Sequence, residues 1–252
     1  MSRLRSAVLD VLPPSLRGAG RFARDHIING PLSALASQTW THPLRFALRS
    51  RKAVFSEIYV SKAWGSSESS SGTGSELAAT ENIRIKLPEI LSRTGARSFL
   101  DAPCGDWNWM QHVKLPTDQY YGFDIVPGVI AENQRRFARR GVEFAIHDLT
   151  KDPLPEVDFV MCRDCLVHLS YADIRAVIAN LKRTGATYIL VNTYPQTVSN
   201  KDQFTGAKYR LLDMTRPPFN FPRPIEAFPD GGEIDPNMMS LWKLQELPDP
   251  DL

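Results

Sequence analysis

Cysteine, glycine-rich turns and long apolar runs are all scarce in this sequence, and each shortage excludes a class of protein. The chain has only three cysteines in 252 residues, an odd number that offers no disulfide framework and is typical of a reducing compartment. No run of about 18 apolar residues occurs, so no transmembrane helix is expected. The N-terminus also lacks the apolar core of a secretory signal. These absences predict a cytoplasmic protein.

Two of the cysteines, Cys162 and Cys165, form a CxxC pair in the segment CRDC. A structural zinc site needs four ligands, and no second CxxC or nearby pair of histidines is present to complete the set. The sequence therefore predicts no metal site.

Charge is spread unevenly along the chain. Residues 1–52 contain nine Lys/Arg and two acidic residues, a net charge of +7, whereas residues 53–252 contain 21 basic and 26 acidic residues, a net charge of −5. A basic arm on an acidic body indicates either a peripheral contact with a membrane or another polyanion, or a solvated arm. Nucleic acid is not an expected partner, because the acidic body shows no patch of interleaved basic and aromatic residues.

Apolar periodicity divides the chain into a helical arm and an α/β domain. Short amphipathic helices are predicted in residues 1–50, and the arm is assigned to residues 1–60 and the domain to residues 61–252. Predicted helices cover residues 76–94, 107–113, 129–140 and 171–184. Predicted strands cover residues 97–101, 120–125, 142–146, 157–162 and 188–193, with a last antiparallel strand near 240–247. This alternation predicts right-handed βαβ units and a parallel sheet.

The turn after the first strand, in SFLDAPCGDWNWM, has one glycine where nucleotide-binding turns have two or three. Pro103 lacks an amide proton and Asp106 would repel a phosphate, so the turn disfavours a dinucleotide. Asp124 ends the second strand, 23 residues after Asp101, a spacing at which a carboxylate accepts hydrogen bonds from ribose hydroxyls. A cofactor with a ribose, a cationic end and no phosphate fits such a turn, and S-adenosylmethionine is one.

Five segments resemble, in order and spacing, the successive motifs of class I S-adenosylmethionine-dependent methyltransferases. They are SFLDAPCGDWNWM, YYGFDIVPGVI, VEFAIHDLTKDPLP, VDFVMCRDCLVHLS and ATYILVNTY. The resemblance spans about residues 75–195. The family usually reads LDxGCG where this chain reads LDAPCG, so Pro103 replaces the first glycine and Trp107 replaces a later one. The resemblance implies a methyltransferase that uses S-adenosylmethionine. It also implies the family's fold, a Rossmann-like, mostly parallel seven-stranded sheet with helices on both faces.

Cofactor contacts follow from the resemblance, residue by residue. They are Asp101, Ala102, Pro103 and Gly105 for the methionine half, Asp124 for the ribose, Ile125 and Asp148 for the adenine, and Arg163 after the fourth strand. Three of these have structural alternatives. Asp124 is alternatively a surface acid, Asp148 a helix cap and Arg163 a member of a salt bridge.

A hydroxyl acceptor must lose its proton during methyl transfer, and Asp164 and His168, four residues apart, are the candidate bases. Packing is the alternative for His168. Tyr194 and Trp107 are candidates for substrate binding, with buried aromatic packing as the alternative. The expected acceptor is a hydroxyl of a small molecule or of a glycan. The alternative function is a non-catalytic, or nucleic-acid- or protein-directed, module that retains the fold.

Two segments have two interpretations each. Residues 64–75, WGSSESSSGTGS, are a linker by composition, but a capping-box pattern from Thr73 to Glu76 predicts that a helix begins there and that the segment is a ligand loop. Residues 217–224, PPFNFPRP, are either a lid over the substrate or a plain surface crossing.

Overall fold

The computed structural model describes residues 49–206, 209–231 and 237–249, all within one compact unit that runs from residue 43 to residue 252. The helices predicted between residues 1 and 48 lie outside the described residues. The described helices are α1 (Arg51–Val60), α2 (Glu81–Thr94), α3 (Pro127–Phe137) and α4 (Tyr171–Lys182). The described strands are β1 (Ser98–Asp101), β2 (Gln119–Asp124), β3 (Val142–Ile146), β4 (Phe159–Cys162), β5 (Tyr188–Thr193), β6 (Glu226–Pro229) and β7 (Met238–Lys243). Helix α1 therefore belongs to the same compact unit as the sheet.

The seven strands form one sheet in the order β3-β2-β1-β4-β5-β7-β6. Strands β1 to β5 are parallel, and β7 runs antiparallel to both β5 and β6. The predicted mostly parallel, seven-stranded Rossmann-like sheet is confirmed. The strand order reverses between β1 and β4, and ligands in such sheets bind beside the carboxyl ends of the strands at that point.

Helices cover both faces of the sheet. Neighbouring residues of a strand point to opposite faces, and Phe99 of β1 packs with the apolar side of α2, whereas Leu100 packs with the apolar side of α4. Because both faces are buried, the central strands are apolar along their length, as the run FVMC of β4 shows.

Local signals set several helix ends. The Ser170 hydroxyl accepts a hydrogen bond from the Asp173 amide and caps α4. Pro127 occupies the first turn of α3, where its missing amide proton has no partner to lose. Gly95 ends α2 in the left-handed conformation, with a φ of 68°.

Two predictions of local structure are wrong, and one strand was not predicted. Thr73–Ser75 form a 3₁₀ turn without a side-chain cap, and α2 begins only at Glu81, because the Glu76 carboxylate accepts from Ser66 instead of capping a helix. A helix was expected over residues 107–113, and only the 3₁₀ turn Met110–His112 is present. The proline-rich segment also contains the unpredicted strand β6.

The segment at residues 217–224 packs against the body of the domain. Phe219 and Phe221 are buried, with their rings edge-on to Tyr171 and Trp242 respectively. The Trp242 indole also donates a hydrogen bond to the Pro222 carbonyl at 2.8 Å. These contacts support the surface crossing rather than the lid.

None of the described helices has the length and apolar character needed to cross a membrane.

Candidate active site

A cleft opens where β1, β2 and β4 end. It holds a cavity of about 90 Å³, which is smaller than the roughly 300–1,000 Å³ of typical small-molecule sites. The predicted site residues that line it are Pro103, Gly105, Asp124, Ile125, Asp148, Asp164 and His168. The remaining predicted residues lie behind its walls, as described below.

The backbone amides of residues 102 to 106, in the turn after β1, are already engaged. The Ala102 amide donates to the Met161 carbonyl and the Cys104 amide to the Phe123 carbonyl. The Gly105 amide donates to the Asp124 carboxylate at 3.2 Å, and the Asp106 amide donates to the Ser71 hydroxyl at 2.9 Å. Pro103 has no amide proton. These residues of the turn therefore offer no ring of free amides to a phosphate.

Asp101 lies at the end of β1, behind the wall of the cleft, with 2% of its surface exposed. The Tyr120 hydroxyl donates to its carboxylate at 2.7 Å, and the Trp107 indole donates to the same hydroxyl at 2.8 Å. Burial, opposed by the Tyr120 hydrogen bond, raises the pKa of Asp101 to about 7. Ala102 is fully buried beside it.

Trp107 belongs to the core and not to the wall of the cleft. Its ring packs against Phe137, Tyr120 and Phe144. Its φ is 59°, a left-handed conformation that favours glycine, which is the residue that the family usually has at this position. Burial of the indole offsets the backbone strain.

Asp124 borders the cleft at the end of β2. One carboxylate oxygen accepts from the Val126 amide at 2.9 Å, and the other accepts from the Gly105 amide at 3.2 Å. Burial raises the pKa of Asp124 to about 6, although these backbone hydrogen bonds act to lower it. The carboxylate is thus held at the mouth of the turn in a fixed orientation.

The serine-rich segment at residues 64–75 is an ordered loop bound to that turn. The Asp106 carboxylate accepts hydrogen bonds from the hydroxyls of Ser69, Ser70 and Ser71 and from the Ser70 amide, at 2.7–3.2 Å. The loop brings Trp64 and Ser71 to the wall of the cleft. Neither residue was predicted to contribute to the site, because composition alone is typical of a linker.

Arg163 is buried and does not line the cleft. Its guanidinium donates to the Asp230 carboxylate at 2.8 Å and to the Gly74 carbonyl at 2.8 Å. Asp230 has a fully buried side chain and also accepts from Asn192 and Asn237. Burial raises the pKa of Asp230 to about 6 against the opposing charge of Arg163. Arg163 thus supports the serine-rich loop from beneath.

Asp164 is oriented by this network. One carboxylate oxygen lies 3.0 Å from the Arg163 guanidinium, and the backbone amide donates to the Asn192 side chain at 2.5 Å. The backbone is left-handed, with a φ of 50°. The other carboxylate oxygen, Oδ1, is buried and has no hydrogen-bond partner within the described ranges. Because Asp164 lines the cleft, a donor on a ligand would satisfy it.

An aromatic row extends from the cleft beside Asp164. The Trp64 and His168 rings are 5.7 Å apart, and the His168 and Tyr209 rings are 5.5 Å apart. Tyr194 follows behind, fully buried, with its ring 6.0 Å from Tyr209. His168 therefore reaches the cleft, and Tyr194 supports the row from the interior.

Asp148 is engaged by helix α1. The Arg51 guanidinium forms an ion pair with Asp148 at 2.9 Å and another with Asp173 at 2.9 Å. Although burial acts to raise it, hydrogen bonds from Arg51 and Thr150 hold the pKa of Asp148 below its usual value. Helix α1 thereby closes the far end of the cleft with Phe55 and Tyr59, which sequence reasoning did not assign to the site.

The raised pKa values of Asp101 and Asp124 predict how stability depends on pH. Between about pH 4 and pH 7 the folded protein binds protons that the unfolded chain releases, so the contribution of these groups to stability increases as pH falls from 8 to 5.5. Urea denaturation should show that the free energy of unfolding increases less over this interval for Asp101→Asn than for the wild type. Equal gains in both proteins would contradict the raised pKa of Asp101.

Comparison with known proteins agrees with this geometry. Residues 99–186 match the family model described as a methyltransferase domain. No curated protein matches the sequence. Magnesium protoporphyrin IX methyltransferase from Synechocystis PCC 6803, solved with bound SAH, is 14% identical with a TM-score of 0.53, over 75% of this chain and 98% of that one. Human N-acetylserotonin methyltransferase, solved with SAM, is 16% identical with a TM-score of 0.50, over 90% of this chain and 69% of that one.

At these identities the structural likeness shows the fold alone. The fold is that of the class I S-adenosylmethionine-dependent methyltransferases, as the five motifs indicated. Over residues 99–186 the chain is similar in sequence to a methyltransferase domain.

Proposed function

We propose that the protein is an S-adenosylmethionine-dependent methyltransferase that methylates a hydroxyl of a small molecule or of a glycan. The observation that carries the proposal is the pair of buried carboxylates, Asp101 and Asp124, beside a turn with no free amide. Such a site disfavours phosphate and favours a cationic ligand with hydroxyl donors. S-adenosylmethionine has a ribose, an ammonium group and a sulfonium, and it has no phosphate.

The residues that line the cleft indicate where each part of the cofactor would lie. Asp124 would accept hydrogen bonds from the ribose hydroxyls, since its two oxygens are already fixed by backbone amides. Pro103 and Gly105 would flank the methionine half, and Ile125 and Asp148 would flank the adenine. Asp101, Ala102 and Arg163 would act from behind the walls, because none of them lines the cleft.

Asp164 is the proposed general base. Its Oδ1 atom is buried, lacks a partner among the described residues and borders the cleft, so it would accept the proton of the acceptor hydroxyl as the new carbon–oxygen bond forms. When bound, the cofactor supplies an electrophilic methyl group on its sulfonium. His168 and the aromatic row would orient the acceptor, and alignment of donor and acceptor would account for much of the acceleration.

The acceptor class is supported by chemistry rather than by a close relative. The two structural neighbours are named for small-molecule acceptors, N-acetylserotonin and magnesium protoporphyrin IX. A peripheral contact of the basic arm with a membrane or another polyanion, and a cytoplasmic location, stay predictions, because residues 1–48 lie outside the described part of the chain.

Calorimetric titration tests the proposed cofactor. We expect micromolar binding of S-adenosylmethionine and none of NAD, because the turn offers no free amides to a pyrophosphate. Asp164→Asn should bind the cofactor as the wild type does, yet fail to methylate any hydroxyl acceptor found in a screen of phenols and methyl glycosides. Binding of NAD, or no binding of S-adenosylmethionine by folded protein, would overturn the proposal.

A further inference from the structure

Trp64 occupies a position in the cleft that the proposed function does not yet use. It lies at the start of the serine-rich loop and borders the cleft together with Gly105, Asp124 and Asp164. Its ring is 5.7 Å from the His168 ring, at an interplanar angle of 39°. Trp64 therefore shares the cleft with the turn after β1 and with the two candidate catalytic side chains.

This position coincides with the charged centre of the proposed cofactor. If the ribose lies on Asp124 and the adenine extends towards Asp148, the sulfonium, which is joined to the ribose, lies on the side of Asp164 and His168. Trp64 is the aromatic residue that contacts the His168 ring at that end of the cleft. The face of a tryptophan ring attracts a cation more strongly than any other side-chain ring does.

The loop holds Trp64 in place through several independent contacts. A Cβ atom at Gly72 would lie 2.7 Å from the Trp64 Cβ, and the φ of Gly72 is 96°, so only glycine fits there. Asp106 binds Ser69 to Ser71 of the loop, and Arg163 binds the Gly74 carbonyl. A ring held this firmly loses little entropy when a ligand binds beneath it.

We propose that Trp64 recognises the sulfonium of the methyl donor and that the loop at residues 64–75 exists to position it. The inference rests on the proposed function, since it requires S-adenosylmethionine in the cleft. It makes Trp64 a specificity-determining residue. It should favour the cationic donor over the neutral product, S-adenosylhomocysteine, and so assist product release.

The test compares the affinities of the two ligands by calorimetry. We expect Trp64→Leu to weaken binding of S-adenosylmethionine roughly 3- to 30-fold more than binding of S-adenosylhomocysteine, the range that a desolvated cation–π contact supplies. Trp64→Phe keeps an aromatic face and should retain most of the preference. Asp106→Asn weakens the attachment of the loop and should lower the preference in the same direction.

Phe55→Leu is the matched control, because Phe55 borders the same cleft from α1, on the Asp148 side. This control should change both affinities by one common factor. If folded Trp64→Leu lost affinity for both ligands by the same factor, the inference would be overturned, and Trp64 would only shape the cleft. If the wild type bound neither ligand, the proposed function itself would fail, so the two failures are distinguishable.

Discussion

Replacing Asp124 with asparagine is expected to weaken S-adenosylmethionine binding by about 1.5–3 kcal/mol, or roughly 10- to 150-fold. The carboxylate is the acceptor proposed for the ribose hydroxyls, and charge-assisted hydrogen bonds of this kind contribute on that scale. Its orientation is already set by the Gly105 and Val126 amides, so the ligand need not order it. Calorimetric titration near pH 8, where Asp124 is ionised, gives the affinity directly.

Asparagine is the informative replacement because it retains an oxygen for one of the two backbone amides. Alanine would leave both amides unpaired and would mix a structural cost with the loss of the ribose contact. Asp118→Asn is a suitable control, since Asp118 is largely exposed and pairs with Arg97. Unchanged affinity in a folded Asp124→Asn protein would remove Asp124 from the cofactor site.

Asp230→Ala is expected to destabilise the protein by about 3–5 kcal/mol, the usual cost of removing one partner of a buried ion pair. Arg163 and Asp230 are both buried, and the truncation would leave the guanidinium without its main counter-charge. Asn192 and Asn237 would also lose the acceptor that they share. Urea denaturation measures the change in the free energy of unfolding.

Two further variants separate charge from packing. Asp118→Ala removes an exposed partner of a surface ion pair and should leave stability nearly unchanged. The double substitution Arg163→Met with Asp230→Leu removes both charges and should recover much of the stability lost in Asp230→Ala. A small effect of Asp230→Ala would show that the buried pair contributes little to stability.

The sheet and its carboxylates were predictable because their signals are local. Apolar strands recur with helical segments between them, and Asp101 and Asp124 are the last residues of two of these strands. The carboxyl ends of parallel neighbours must meet at one edge. Once a strand is recognised in the sequence, the edge of the sheet at which its last residue lies is therefore known. The boundaries of five predicted strands differ only slightly from those in the structure.

Other parts of the site depend on partners that are distant in sequence. Arg163 was assigned to the cofactor because of its place after β4, but its partner Asp230 follows the unpredicted strand β6, 67 residues away. Trp107 is an aromatic residue of a type that often lines ligand pockets, and only its packing against Phe137 and Phe144 shows that it belongs to the core. No local pattern reports such pairings.

The serine-rich segment shows most clearly the difference between what local sequence predicts and what depends on distant partners. Its composition is that of a linker, and a serine hydroxyl has no preferred partner within the segment itself. The Asp106 carboxylate, 36 residues from Ser70, provides that partner once β1 and its turn have formed. The sequence alone thus determined the sheet, its order of motifs and the carboxylates at its edge, because periodicity and strand ends are local properties. Only the tertiary structure brought Trp64 to the candidate site and placed Asp106 and Asp230 where they hold its loop and Arg163, because buried charges and hydroxyls are satisfied by whichever groups the fold brings within hydrogen-bond distance.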